Sequence, residues 1–121
     1  MKFNKFNANQ IREINKGLSS GLDVSIYRNE SFDSAQMREI RLGLKANLDV
    51  SIYAKPSFDS KDMQTIREAL ENGNDISKYV EEGFSSQELY WISKGLKEGF
   101  DVSIYAKKKF DGYKMAEIFG A

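Results

Sequence analysis

The sequence predicts an all-α protein of tandem 26-residue repeats, each a long helix, a turn and a short helix, stacked as a small α-solenoid. Three observations carry this. A phenylalanine recurs at one constant interval, without insertion, at Phe6, Phe32, Phe58, Phe84 and Phe110. Each is followed by a residue suited to cap a helix. Apolar residues then follow at helical spacing, as Met37, Ile40 and Leu44 do. The units are 6–31, 32–57, 58–83, 84–109 and a half unit, 110–121, read together as one repeat domain.

The long helix comes first. Asn7, Asp33, Asp59, Ser85 and Asp111 form the cap column. Three residues later, Gln10, Gln36, Asp62 and Glu88 are placed to accept from the cap's own N–H, and Ser85–Glu88 matches the strict capping box. Phenylalanine before the cap and Ile11, Met37, Met63, Leu89 or Met115 four after it have the spacing of a hydrophobic staple. An isoleucine column (14, 40, 66, 92, 118) and a leucine column (18, 44, 70, 96) extend the apolar arc. Gly17, Gly43, Ala69, Gly95 and Ala121 precede or extend the leucine column. Glycine inside a helix costs about 1 kcal/mol relative to alanine, so its recurrence predicts close approach of another backbone. Gly21, Asn47, Gly73 and Gly99 tolerate the left-handed conformation that ends helices.

The segment LDVSIYA follows. Asp23, Asp49, Asp75 and Asp101 are again caps, and Leu22–Tyr27, Leu48–Tyr53 and Phe100–Tyr105 flank them at staple spacing. Val50, Tyr53 and Ala54 fall at i, i+3 and i+4, which predicts a short helix, partly 3₁₀, rather than a strand. Its isoleucine becomes Lys78 in the third unit, which puts that column at a rim.

One unit has too few large apolar side chains to offset the entropy of ordering it, so neighbours must stack, here as a slightly curved right-handed array. The half unit is expected to cover the fourth repeat, and Met1 and Phe3 the first.

Composition narrows the function. Charged residues are 30% and the net charge is zero, so no global field steers the chain to nucleic acid or an anionic membrane. There is no Cys and no His, which removes thiol chemistry, the commonest general base and the usual zinc ligands. No phosphate-binding glycine loop, dinucleotide fingerprint or calcium loop is present. The recurrent Asp-Val-Ser is accounted for by capping. The reading is therefore a non-enzymatic, soluble, cytoplasmic protein without cofactor, metal or membrane span.

Recognition is expected where the copies diverge. The outer arc of the first two helices carries Arg12, Glu13, Arg38 and Glu39, and in the fourth those columns become Tyr90 and Trp91. Leu42 also points into that polar arc. Tyr and Trp are favoured interface anchors. Alternatively, Trp91 folds over the fifth helix as extra core. Arg41 and Arg67 share a column that extends Arg12 and Arg38 into a basic stripe, or pairs with nearby Glu. Lys107, Lys108 and Lys109 suit phosphate or an acidic partner, or form a solvated loop. The third unit is acidic and the fourth basic.

The pattern from Phe32 to Ala54, F-D-x-x-Q-M-x-E-I-R-x-G-L-x-x-x-L-D-V-S-x-Y-A, resembles short tandem repeats in uncharacterised proteins of Gram-positive gut bacteria, many carried on phages, plasmids and conjugative elements. The resemblance covers nearly the whole chain. NDISKYV at 74–80 and SSQELYWISKGL at 85–96 depart from it. The repeat architecture and Tyr90–Trp91 point to a protein–protein interaction module, and the resemblance implies the setting, an inhibitor of a host defence nuclease with an anti-CRISPR-like, counter-defence role. The alternatives are a nucleic-acid-binding array using the Arg/Lys stripe and a structural or oligomerisation module. A monomer or weak homodimer is expected. The candidate partner-binding residues are Tyr90, Trp91, Leu42, Arg38, Arg41, Arg67, Lys107, Lys108 and Lys109.

Overall fold

Helix starts are set by the caps. In the computed structural model, which describes residues 5–120, Asn7, Asp33 and Ser85 each accept from the backbone N–H three residues on. The side chains of Gln10, Gln36 and Glu88 return the bond to the cap, so glutamine closes the box as well as glutamate. Asp59 and Asp62 make the same reciprocal pair. The long helices that follow are evenly spaced: α1 (Ala8–Ser19), α2 (Ser34–Lys45), α3 (Ser60–Glu71), α5 (Ser86–Lys97) and α6 (Gly112–Gly120). Between them lie three 3₁₀ turns, η1 (Val24–Ile26), η2 (Val50–Ile52) and η3 (Val102–Ile104), and a short helix α4 (Ser77–Glu81). The described residues contain no strand. The expected short second helix is thus a single 3₁₀ turn except at α4, where it is α-helical.

The first four long helices stop in the same way. Gly21, Asn47, Gly73 and Gly99 have positive φ. The next N–H reaches back to the small-residue column: Leu22 to Gly17, Leu48 to Gly43, Asn74 to Ala69 and Phe100 to Gly95, at 2.9–3.0 Å. This is the Schellman closure.

The chain divides into two compact units, Met1–Arg67 and Glu68–Ala121, with the boundary inside α3. Residues Met1, Phe3 and Ala121, for which end-capping or packing is expected, lie outside the described residues.

In the first unit α1 packs on α2. Met37, Ile40, Met63 and Ile66 are fully buried, and Tyr27 and Tyr53 with them. The close approach expected at the glycine column is made by side chains, not by backbone. A Cβ on Gly43 would overlap the Tyr53 hydroxyl and lie 2.7 Å from Val50 Cγ1, and Gly17 stands in the same relation to Tyr27 and Val24. The absent side chain lets the tyrosine thread past the helix and donate to a carbonyl of the preceding long helix: Tyr27 to Glu13 at 2.7 Å, Tyr53 to Glu39 at 2.6 Å.

Successive helices of this unit are joined by two further kinds of polar contact, each made twice. Gln10 Nε2 donates to the Phe32 carbonyl (2.7 Å), and Gln36 Nε2 to the Phe58 carbonyl (2.6 Å). Arg41 Nε meets Glu13 at 2.9 Å and Arg67 Nε meets Glu39 at 2.8 Å, the two pairs having the same separation in sequence. Glu13 and Glu39, expected on the outer face, are therefore buried. The helix face is wider than the apolar arc because these carboxylates have a guanidinium to meet. The leucine column is shallower than expected: Leu18 is exposed and Leu44 half-buried, because the turn after each helix covers the isoleucine and glycine columns instead.

In the second unit α5 packs on α6, around Leu89, Ile92, Tyr105 and Met115. Gly95 accommodates Tyr105, whose hydroxyl donates to the Trp91 carbonyl at 2.8 Å. Where the small column reads Ala69, the segment that follows changes. Ile76 and Val80 are buried, the turn becomes α4, and Tyr79 is half-buried with its ring edge-on to Phe84 at 5.9 Å. A methyl group in place of the glycine hydrogen fills the slot that tyrosine takes elsewhere.

Candidate functional site

Among the residues that open onto solvent in the second unit are the large apolar side chains Tyr90, Phe100, Ile104 and Tyr113. Phe100 occupies the column of Leu22, Leu48 and Asn74; Phe119 occupies that of Asn15, Arg41, Arg67 and Ser93. Trp91 stands where Glu13 and Glu39 stand in the first unit. Their rings run in a continuous line: Tyr90 to Trp91 at 5.1 Å, Trp91 to Phe119 at 5.6 Å, and Phe119 to Phe100 at 5.2 Å. Such tilted and edge-on pairs are worth about 0.5–1.5 kcal/mol each beyond their burial. The line is not sealed. Tyr90 is 49% exposed, Phe100 48% and Ile104 61%.

Beside this ridge is an open cleft of about 340 Å³ lined by Phe100, Asp101, Ile104, Tyr105, Ile118 and Phe119. Its polar groups are already engaged. Asp101 accepts from the Ser103 hydroxyl (2.6 Å) and N–H (3.1 Å), which hold its carboxyl below the usual range. Burial pushes the Tyr105 phenol up. Lys94 Nζ sits 5.8 Å from the centre of the Phe119 ring, at the rim. The cleft presents apolar surface with a cation at its edge and no free carboxylate–base arrangement.

The sequence-derived candidates separate into three groups. Tyr90 is exposed as expected. Trp91 is half-buried against Phe119 on the neighbouring helix, which is the second of the two placements weighed for it. Leu42, expected in the polar arc, is half-buried. The arginines do not form one stripe. Arg41 and Arg67 have side chains 11% exposed and face Glu13 and Glu39. Arg38 is exposed, with Glu39 at 3.4 Å, and Arg12 donates to Asn9 at 3.0 Å. Of the three lysines, Lys108 donates to the Glu82 carbonyl (3.0 Å) and lies 4.9 Å from the centre of the Phe84 ring; Lys109 covers Phe110, and all three are exposed.

Phe100, Ile104, Ile118 and Phe119 are the surface residues that sequence reasoning missed. The signal was present as column breaks: phenylalanine replaces leucine or asparagine at 100 and a polar or basic residue at 119.

Among the described residues no group of three or more Asp and Glu is placed to hold a metal ion. No described helix is long and apolar enough to cross a membrane. Comparison with protein-family models, curated proteins and solved structures finds no match for this chain.

Proposed function

We propose that this chain is a non-catalytic protein–protein interaction module, its repeats stacked as a small α-solenoid, with the aromatic ridge of the second unit as its docking surface. The observation that carries the reading is the exposure of Tyr90, Phe100 and Ile104 in the second unit, with Phe100 and Ile104 lining an apolar cleft. Contiguous exposed apolar surface marks interaction sites, and aromatic anchors dominate their energetics. The resemblance of the repeats to those on phages and conjugative elements suggests the setting: inhibition of a host defence nuclease, by binding rather than by chemistry. The nucleic-acid reading is weaker, because two of its arginines spend their charge on buried glutamates.

The test is co-purification with a candidate defence nuclease, comparing wild type with Tyr90→Arg and Phe100→Asp. Both side chains are about half exposed, so the variants are expected to fold, which far-UV circular dichroism checks. Loss of the partner from folded variants supports the surface; undiminished recovery rejects it.

A further inference from the structure

Helices α1 and α2 sort their charges by side. Their acidic residues are Glu13 and Glu39 alone, and both are buried. Arg41 meets Glu13 at 2.9 Å and Arg67 meets Glu39 at 2.8 Å, each guanidinium arriving from the following helix. The other cations stand on the outer arc: Arg12 and Lys16 on α1, Arg38 and Lys45 on α2, all exposed. Lys16 and Arg38 reach the same glutamates from outside, at 3.7 and 3.4 Å, with side chains 51% and 57% exposed. Each glutamate already has its buried guanidinium, so these outer cations are in excess. Arg12 donates to the neutral Asn9 side chain at 3.0 Å. Exposed ion pairs are weak, so an incoming anion competes readily for these groups.

The exposure of this face does not depend on where the repeats stop. Helix α2 has a neighbour on either side, α1 through Glu13–Arg41 and α3 through Glu39–Arg67, and Arg38 and Lys45 stay exposed on it. The column of Arg12 and Arg38 is exposed again at Gln64 and Tyr90.

Leu42 decides the kind of anion. It follows Arg38 by four residues and precedes Lys45 by three, so the three share one side of α2. The other copies carry Lys16, Glu68 and Lys94 in its column. It is half-buried, so part of an apolar side chain lies open among the cations. A phosphate backbone gains nothing from that surface. An amphipathic acidic helix gains the apolar contact and the carboxylate pairs together.

We infer that the outer face of α1 and α2 docks an acidic amphipathic segment of a protein, with carboxylates on Arg12, Lys16, Arg38 and Lys45 and an apolar side chain on Leu42. This surface belongs to the first unit, not to the aromatic ridge, and the inference goes beyond the reading given above. Arginine at two of its positions adds direction, because the planar fork engages a carboxylate through two parallel bonds. Two copies of the chain cannot meet face to face here, since like charges would oppose each other.

The probe is a helix-stapled synthetic peptide with leucine and glutamate along one face and glutamine elsewhere, titrated into the ¹⁵N-labelled full chain at low salt. Saturable shifts centred on Arg12, Arg38, Leu42 and Lys45 are expected, weakening as salt rises. Affinity should fall about fivefold for Arg12→Ala/Arg38→Ala and about threefold for Leu42→Gln, with far-UV circular dichroism confirming that both variants fold. No saturable shift, shifts confined to other residues, or indifference to the double arginine variant overturns the inference. Tighter binding of a short DNA duplex, lost with the two arginines and untouched by Leu42→Gln, makes the ligand nucleic acid and overturns the acidic protein segment. Self-association of the chain in sedimentation, abolished by Arg12→Ala/Arg38→Ala, makes a second copy the occupant and overturns it as well. The folded Tyr90→Arg/Phe100→Asp variant should bind the peptide as wild type does; loss of the peptide there places it on the ridge and rejects this face.

Discussion

The first and second units use the same columns for opposite purposes. At the pair that joins successive long helices the first unit places Glu13–Arg41 and Glu39–Arg67, and the second places Trp91–Phe119. At the third helical position the first has Gln10 and Gln36, which cap their own helix through Oε1 and clamp the next phenylalanine carbonyl through Nε2; Glu88, in the second, has no N–H to give and only caps. A buried ion pair is directional and fixes register, while its net stabilisation is small because desolvation offsets it. An aromatic pair supplies area and tolerates an open edge. The first unit therefore joins its helices by polar specificity, and the second leaves aromatic surface exposed.

The sharpest way to break this comparison is to remove one partner of a buried pair. Glu39→Ala takes the carboxylate away from the buried Arg67 guanidinium and is expected to cost about 3 kcal/mol in urea unfolding. Replacing both, Glu39→Leu with Arg67→Met, should be nearly neutral. Trp91→Ala, in the same column of the second unit, should cost about 2 kcal/mol, less than a buried tryptophan, because the indole is only half covered. If Glu39→Ala costs no more than a surface substitution, the polar joining of the first unit is wrong.

Gly43→Ala comes next. The methyl overlaps the Tyr53 hydroxyl and Val50, and a cost of about 1–3 kcal/mol is expected from thermal unfolding. Ala69 is tolerated because the turn after it is re-made as α4, so grafting residues 74–80 onto 48–54 alongside Gly43→Ala should recover part of the loss.

A smaller effect separates the two capping residues. Gln36→Glu keeps the cap and loses the donor to the Phe58 carbonyl, at about 1 kcal/mol. Glu88→Gln should change stability by less than about 0.5 kcal/mol.

The smallest effect should not distinguish the units at all. Asp23 and Asp101, one in each unit, have carboxyls lowered by the serine two residues on. A lowered folded value means stability present above the ordinary 3.8 and lost as pH falls through the folded value, so an acid titration should soften both units together. Tyr27 and Tyr105 are raised by burial, so their contribution holds below pH 10 and is lost as pH rises through their folded values.

What was legible in the sequence follows from what acts locally. Asn7, Asp33, Ser85 and the glycines at 21, 73 and 99 act within a few residues of themselves, and helix starts and ends were read from them. Gln10, Glu13, Arg41 and Tyr27 act across the turn that separates one long helix from the next. Projection on one helix put Glu13 and Glu39 outside because it had no knowledge of the arginine arriving from the next. The same projection put Trp91 on the outer arc, and only its alternative placement over the fifth helix anticipated the contact with Phe119. Column identity held the information: wherever glutamate faces arginine, or tryptophan faces phenylalanine, at that interval, the two form a contact within their unit. Tyr90 was legible because it breaks its column and has no such correspondent.

The most direct measurement of the central claim is co-purification of the candidate nuclease at two salt concentrations with two folded double variants, Tyr90→Arg/Phe100→Asp and Arg12→Ala/Arg38→Ala. The account expects the first to lose the partner, the second to retain it, and salt to matter little. Retention by the first with loss by the second, or release of the partner as salt rises, would contradict it.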